Sequence, residues 1–192
     1  MRLLVVRHGV TDWNIQGRLQ GRTDIDLNAE GLRQARALAA RLKAEPLDRL
    51  FSSPMLRASR TAQAVAEAKG LAVETDAVLN EADMGLWEGL TWEEIAARHP
   101  EQLKERSRIG LSYKGHGGES VLEVSVRIGR FWERLRREAP GLTVCAVTHA
   151  STSTSASFDK SNVRFTLATA SPWLPSMVVT VSGPRTEATR PV

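Results

Sequence analysis

Residues 3–6, Leu-Leu-Val-Val, run without a break into Arg7-His8-Gly9. Four consecutive apolar residues leave no hydrophilic face, so as a strand this segment must be covered on both sides. That condition is met by a parallel strand between two helical layers. In open α/β sheets ligands sit at the carboxyl ends of such strands. Here that end carries a permanent cation, a titratable nucleophile and a glycine that lets a ligand approach the backbone.

The rest of the chain fits this frame. With 192 residues, 42% hydrophobic and 25% charged, it is long enough for one well-buried core. A single domain is expected over residues 1–182, with an atypical segment at 150–164 and a loose tail at 183–192. A polar, glycine-dotted loop spans 10–26. Asn28 then reads as the N-cap of a helix whose apolar face is Leu32, Ala35, Leu38, Ala39 and Leu42, with Leu27 and Leu32 as a hydrophobic staple and Pro46 as the stop. Leu50-Phe51-Ser52 reads as a second strand. Ser53 is expected to cap the following helix, Pro54 to occupy its first position and Gly70 to end it.

Leu71–Glu74 reads as a third strand. Helices follow over Thr91–Arg98 and Glu101–Arg106, and another has Val124, Ile128, Phe131, Trp132 and Leu135 as its apolar face. Val144–Val147 is the fourth strand and Met177–Val181 a last one. The Ser/Thr/Ala run 151–157 is expected to be loop. Strands alternating with helices imply a mostly parallel sheet with helices on both faces.

Composition narrows the partners. The formal charge of +4 comes from arginines spread through helical segments, with no Lys/Arg block of the kind that marks a nucleic-acid surface. The same positive field suits a small anionic substrate. Cys145, the single cysteine, excludes an intrachain disulfide and reads as a buried structural thiol. No stretch has the length of a membrane span and no secretory signal is legible, so a cytoplasmic protein is the default.

In a parallel sheet the residues after each strand share one edge. Arg7 and His8, then Ser52, Ser53 and Arg57, then Thr148 and His149 would therefore meet there. Arginine forks match phosphoryl oxygens, and a helix start near Ser53 would add backbone donors, giving an anion pocket that needs no metal. His8 can attack phosphorus only as the neutral imidazole, which neighbouring guanidinium groups favour. His149 could stabilise charge in the transition state, and Glu81 is the candidate proton donor to the leaving oxygen. Arg60 reads equally well as pocket support or as a structural ion pair. His99 and His116 lack ligand spacing, and the arginines disfavour a cation beside His8 and His149. Trp87 and Trp92 read as packing residues.

Taken together, Arg7-His8-Gly9 with Thr11 and Asn14, Leu27 with Gly31 and Gln34-Ala35, Ser52-Ser53-Pro54 with Arg57-Ala58 and Arg60-Thr61-Ala62, Glu81 with Gly85 and Trp87-Glu88-Gly89, Gly118-Glu119-Ser120, and Val147-Thr148-His149 resemble the histidine phosphatase superfamily in its phosphoglycerate-mutase-like branch. The resemblance covers residues 1 to about 149. It implies a three-layer α/β sandwich and a phosphohistidine on His8. It further implies an anion pocket of Arg7, Arg57 and His149, with Glu81 as acid and then base, and pocket positions at Asn14, Gln20 and Gly21. No cofactor is implied.

Two departures stand out. Family members usually follow the second histidine with glycine and an apolar helix, whereas Ala150 leads here into Ser151-Thr152-Ser153-Thr154-Ser155, which leaves the support of His149 open. The stretch 90–117 offers only a modest lid, which favours water as phosphoryl acceptor. The expected function is metal-independent hydrolysis of small phosphorylated metabolites. The alternatives are a phosphoglycerate mutase and an impaired scaffold that binds phosphate ligands. Oligomeric state is open, a homodimer included.

Overall fold

The computed structural model describes residues 1–154 and the strand at 179–182. In chain order the elements are β1 (Arg2–Arg7), α1 (Asp12–Ile15), α2 (Ala29–Leu42), β2 (Arg49–Ser52), α3 (Leu56–Lys69), β3 (Val73–Thr75), α4 (Trp92–Arg98), α5 (Pro100–Ile109), α6 (Val121–Glu138), β4 (Thr143–Thr148), α7 (Ala150–Thr154) and β5 (Val179–Ser182). Short 3-10 turns lie at Ala77–Leu79, Gly85–Trp87 and Gly110–Ser112.

The strands form one sheet in the order β3-β2-β4-β1-β5, parallel except for β5, which runs antiparallel along β1. The chain thus has the three-layer α/β fold that the strand–helix alternation implied. Met177 and Val178 of the expected last strand, the tail 183–192 and the Ser/Thr run beyond Thr154 lie outside the described residues.

Side-chain alternation along the strands divides the core in two. Leu3 and Val5, Phe51, and Val144 and Ala146 pack on one face against Val124, Ile128, Phe131, Trp132 and Leu135 of α6. Leu4 and Val6, Leu50, and Cys145 and Val147 pack on the other face against Ala39 and Leu42 of α2 and Ala58, Ala62 and Val65 of α3. Period-2 alternation therefore puts every apolar residue of β1 in contact with a helical layer, which is why the run needs no polar position. Burial in this apolar layer pushes the Cys145 thiol up to about 12, so it stays protonated and unreactive.

Local rules account for most helix ends. Asn28 caps α2 through Gly31 N, Thr91 and Ser120 form capping boxes with Glu94 and Glu123, and Gly70 ends α3 in the left-handed conformation. Four sequence expectations need correction. The loop 10–26 contains the short helix α1, because Thr11 and Asn14 form a reciprocal cap at its start. Leu32 is exposed, so the buried stripe of α2 is Gly31, Ala35, Ala39 and Leu42. The third strand is Val73–Thr75, shifted from 71–74 by its register with Leu50–Ser52.

The fourth correction concerns α3, which starts at Leu56 with Met55 as N-cap. Ser53 and Pro54 lie before it, and the Leu56 amide is taken by the Asp24 carboxylate at 2.7 Å.

The loop after β1 crosses α2 with no room for a side chain. A Cβ on Gly31 would lie 2.1 Å from the Val10 carbonyl oxygen, and one on Gly9 would lie 2.6 Å from that of Gly31. Both neighbours are backbone, so neither can rotate aside. Gly31→Ala is expected to destabilise the protein by about 1–3 kcal/mol, read by urea or thermal unfolding. Unchanged stability would contradict the close approach.

Candidate active site

Parallel register brings the strand ends together. Arg7 pairs with Thr148 and Ser52 with Val147, and the chain continues in step through His8 N→Thr148 O at 3.0 Å and Ser53 N→Val147 O at 3.0 Å. His8 and His149 consequently stand with ring centroids 5.0 Å apart, both buried at the sheet edge.

The tautomer of each ring follows from its partners. His8 Nδ1 lies 2.7 Å from the Gly9 carbonyl oxygen, which has no proton to give, so Nδ1 carries the hydrogen and Nε2 keeps its lone pair. Arg57 Nε donates to His149 Nδ1 at 3.2 Å, and a guanidinium only donates, so the His149 proton sits on Nε2. From there a chain runs outward. His149 Nε2 donates to Ser53 Oγ at 2.9 Å, and Ser53 Oγ donates to Asn80 Oδ1 at 2.7 Å.

Both imidazoles are held neutral. His8 is lowered to about 3, chiefly by burial and to a lesser degree by Arg57 and Arg7, while its bond to Gly9 acts in the opposite sense. Guanidinium repulsion, the cause the sequence suggested, is thus the smaller contribution. His149 is lowered well below the usual histidine range by burial, then by His8 and the arginines. The sign for stability follows. The unfolded chain binds these protons and the folded chain does not, so stability is full above about pH 6.5 and falls as pH drops towards 3. Acid titration of the unfolding free energy is expected to steepen by about 1.4 kcal/mol per pH unit for each such histidine, and His8→Asn to flatten it. An unaltered slope in that variant would contradict a neutral buried His8.

The two arginines differ. Arg57 is fully buried and spends its fork on protein, donating to Gly21 O and Thr23 O at 2.9 Å each and to His149 Nδ1. It was expected to offer that fork to phosphate. These bonds use three of its five N–H groups, and two of them fall on the 21–23 loop. Arg7 is half-buried at the end of β1, and among the described residues no carboxylate or carbonyl accepts a hydrogen bond from it. Burial lowers its pKa and the charge of Glu81 opposes that shift.

Glu81 is also buried. Its Oε1 accepts from Ala82 N at 2.9 Å and Ser151 N at 3.2 Å, which leaves Oε2 as the less engaged oxygen. Ser151 belongs to α7. The Ser/Thr run expected as loop is therefore helical through Thr154, because the Thr152 hydroxyl accepts from His149 N at 3.1 Å and meets the Thr148 hydroxyl. This turn anchors His149 and reaches Glu81, giving support where the sequence departs from the apolar helix usual in family members.

Asn14 and Gln20 converge on Thr11, whose hydroxyl lies 3.1 Å from Asn14 Oδ1 and 3.0 Å from Gln20 Oε1. Gly21 has φ +52°, and a Cβ there would meet the Glu88 carboxylate at 2.0 Å. Glu88 is a clamp that sequence reasoning left without a role, accepting from Arg22 N at 2.6 Å and from Thr23 N and Oγ1. Arg60 pairs with Asp26 at 3.2 Å on the surface, the structural alternative. Trp87 is buried against Tyr113 and His116 as packing, while Trp92 touches it edge-on and stays partly exposed. No group of three or more His, Cys, Asp or Glu among the described residues is placed to hold a metal ion, and none of the described helices is long and apolar enough to cross a membrane.

Two buried neutral histidines, an arginine with no hydrogen-bond acceptor among the described residues and a carboxylate at one edge of a parallel sheet define a phosphoryl-transfer type of site. The chain belongs to the histidine phosphatase superfamily (branch 1), whose family model matches residues 3–158. Phosphoserine phosphatase 1 of Hydrogenobacter thermophilus is 38% identical over 149 residues, covering 78% of this chain and 71% of that protein. Phosphoglycerate mutase-like protein 4 of Arabidopsis thaliana is 36% identical over 151 residues, 77% of this chain and 65% of that one. Glucosyl-3-phosphoglycerate phosphatase of Mycobacterium tuberculosis is 40% identical over 127 residues, 66% of this chain and 56% of that one. A solved structure of the mycobacterial glucosyl-3-phosphoglycerate phosphatase with VO3 superposes with a TM-score of 0.74 at 34% identity, covering 80% of this chain and 77% of that one.

Proposed function

We propose that the protein is a phosphoric monoester hydrolase that cleaves small phosphorylated metabolites through a phosphohistidine on His8. The observation that carries this reading is the His8–Gly9 hydrogen bond, which leaves Nε2 of a neutral ring as an available lone pair beside Arg7, whose guanidinium meets no hydrogen-bond acceptor among the described residues. Two relatives with named activities are phosphatases, and a similar structure holds VO3.

The chemistry balances with these residues alone. The Nε2 lone pair attacks phosphorus as the ester P–O bond breaks, and Glu81 delivers a proton to the departing alkoxide. Arg7 and the Nε2–H of His149 meet the phosphoryl oxygens, where charge develops. Water then attacks the phosphohistidine, its proton returns to Glu81, and phosphate and neutral His8 are released. For His149 to donate in this way its proton must turn from Ser53 to the phosphoryl group, which leaves the Ser53–Asn80 bond in place. Arg57 serves by holding the 21–23 loop and the His149 tautomer.

The test is turnover on a panel of phosphate monoesters with chelator present. Release of inorganic phosphate that EDTA leaves unchanged is expected. Conversion of 3-phosphoglycerate to 2-phosphoglycerate without phosphate release would instead assign mutase activity. Binding of vanadate with no turnover of any ester would assign a binding scaffold.

A further inference from the structure

Glu81 sits on a loop whose position is set from α6. Arg127 of that helix donates to the carbonyl oxygens of Val78, of Asn80 at 2.9 Å and of Glu81 at 3.2 Å. It also pairs with Glu119, Nε to Oε1 at 2.9 Å and Nη2 to Oε2 at 3.1 Å. Glu119 in turn accepts from the Asp83 amide at 3.0 Å. The pair therefore grips the backbone on both sides of Glu81. Because Asn80 is held by the same guanidinium, the grip extends through Ser53 to His149 Nε2. Glu119 Oε2 also receives Arg22 at 3.0 Å, from the loop whose carbonyls bind Arg57. One ion-pair cluster thus touches the supports of the acid, the second histidine and the buried arginine.

Arg127 is easily overlooked in the sequence. It lies beside Ile128 and three residues after Val124, on the border of the buried stripe of α6, where a charge needs a partner. Its side chain is only 18% exposed, so its bonds are not those of a surface pair.

We propose that Arg127 and Glu119 are positioning residues for proton delivery, keeping Glu81 within reach of the leaving oxygen. This rests on the phosphatase reading above. Their effect on phosphoryl transfer to His8 is largest for esters whose leaving group needs a proton. An alkyl phosphate expels a strongly basic alkoxide, whereas p-nitrophenyl phosphate expels a weakly basic phenolate that departs without an acid.

The experiment compares kcat/KM, which reports phosphoryl transfer to His8 and excludes the hydrolysis step common to both esters, for these two ester types in the wild-type chain and in Glu81→Gln, Arg127→Gln and Glu119→Gln, with folding checked by circular dichroism. Both positioning variants are expected to lose about 10- to 100-fold in kcat/KM on the alkyl ester and at least about 5-fold less than that on the aryl ester, whose remaining loss reports the shared support of His149. Glu81→Gln should show the same selectivity more strongly. Arg127→Lys keeps the charge but lacks the fork that spans several acceptors, and it is expected to recover part of the alkyl-ester rate. It also carries the comparison if Arg127→Gln does not fold.

Equal losses on both esters, or none, in folded variants would overturn the proposal. If the wild type cleaves neither ester, the phosphatase reading itself fails. If the wild type cleaves both but Glu81→Gln shows no leaving-group dependence, the acid assignment fails and the positioning role with it.

Discussion

Replacing His8 with alanine is expected to lower kcat by at least about 10⁴-fold and to remove the acid-labile phosphoenzyme trapped after rapid quenching with labelled substrate. The size of the loss follows from the route. Without Nε2 there is no covalent intermediate, and the anion site and Glu81 can only assist direct attack by water. The fold should survive. The His8 ring makes one side-chain hydrogen bond, to the adjacent carbonyl, and the strand pairing of His8 runs through its backbone. A variant that retains turnover within tenfold of the wild type would exclude His8 as nucleophile. The phosphoenzyme measurement adds a second check, because a binding scaffold would form none in either protein.

Replacing Arg57 with alanine is expected to damage stability and activity together. Gly21 O and His149 Nδ1 lose a buried donor, Thr23 O keeps only the Ile25 amide, and a guanidinium-sized hole opens behind α3. Breaking a buried charged network by removing one partner costs about 3–5 kcal/mol, or roughly 10 °C in Tm for a domain of this size. Activity should fall about 10²- to 10³-fold as the 21–23 loop loosens and His149 is freed to exchange tautomers. Arg57→Lys is not a mild change here, since one ammonium cannot reach acceptors on both the loop and the imidazole. A lysine variant with wild-type Tm and kcat would show that the fork is dispensable.

The predicted effects separate what each histidine relies on. His8 depends on a carbonyl one residue away, which is local geometry at the end of β1. His149 depends on Arg57, Ser53, Asn80 and Thr152, which come from three separate stretches of the chain. Its tautomer is therefore a property of the assembled site and could not be read from Thr148-His149-Ala150.

Much of the architecture was legible before the structure, and for identifiable reasons. The Leu3–Val6 run has no polar position because helices cover both faces of β1, and the caps at Asn28, Thr91 and Ser120 declare themselves through short-range hydrogen bonds. The convergence of Arg7, His8, Arg57 and His149 followed from parallel topology. Where local signals failed, a distant partner had intervened. Ser53 has the chemistry of an N-cap, but its hydroxyl is engaged by His149 and Asn80, and Asp24 satisfies the start of α3 instead. Ser151–Thr154 has the composition of a loop, but the Thr152 hydroxyl and the Glu81 carboxylate satisfy the amides of its first turn.

Arg57 and Arg7 show the same division within one residue type. Sequence placed both at the sheet edge, because strand ends and helix starts are encoded in patterns of a few residues. What Arg57 holds within the protein was decided by the 21–23 loop, whose carbonyls accept from its guanidinium. By itself the sequence determined the strand–helix alternation, the shared edge and the residue types gathered there, all of which depend on short-range periodicity and topology. Only the tertiary structure decided tautomers, free donors and the grip of Arg127 and Glu119 on Glu81. Those depend on hydrogen bonds between side chains far apart in the chain, and no local pattern records them.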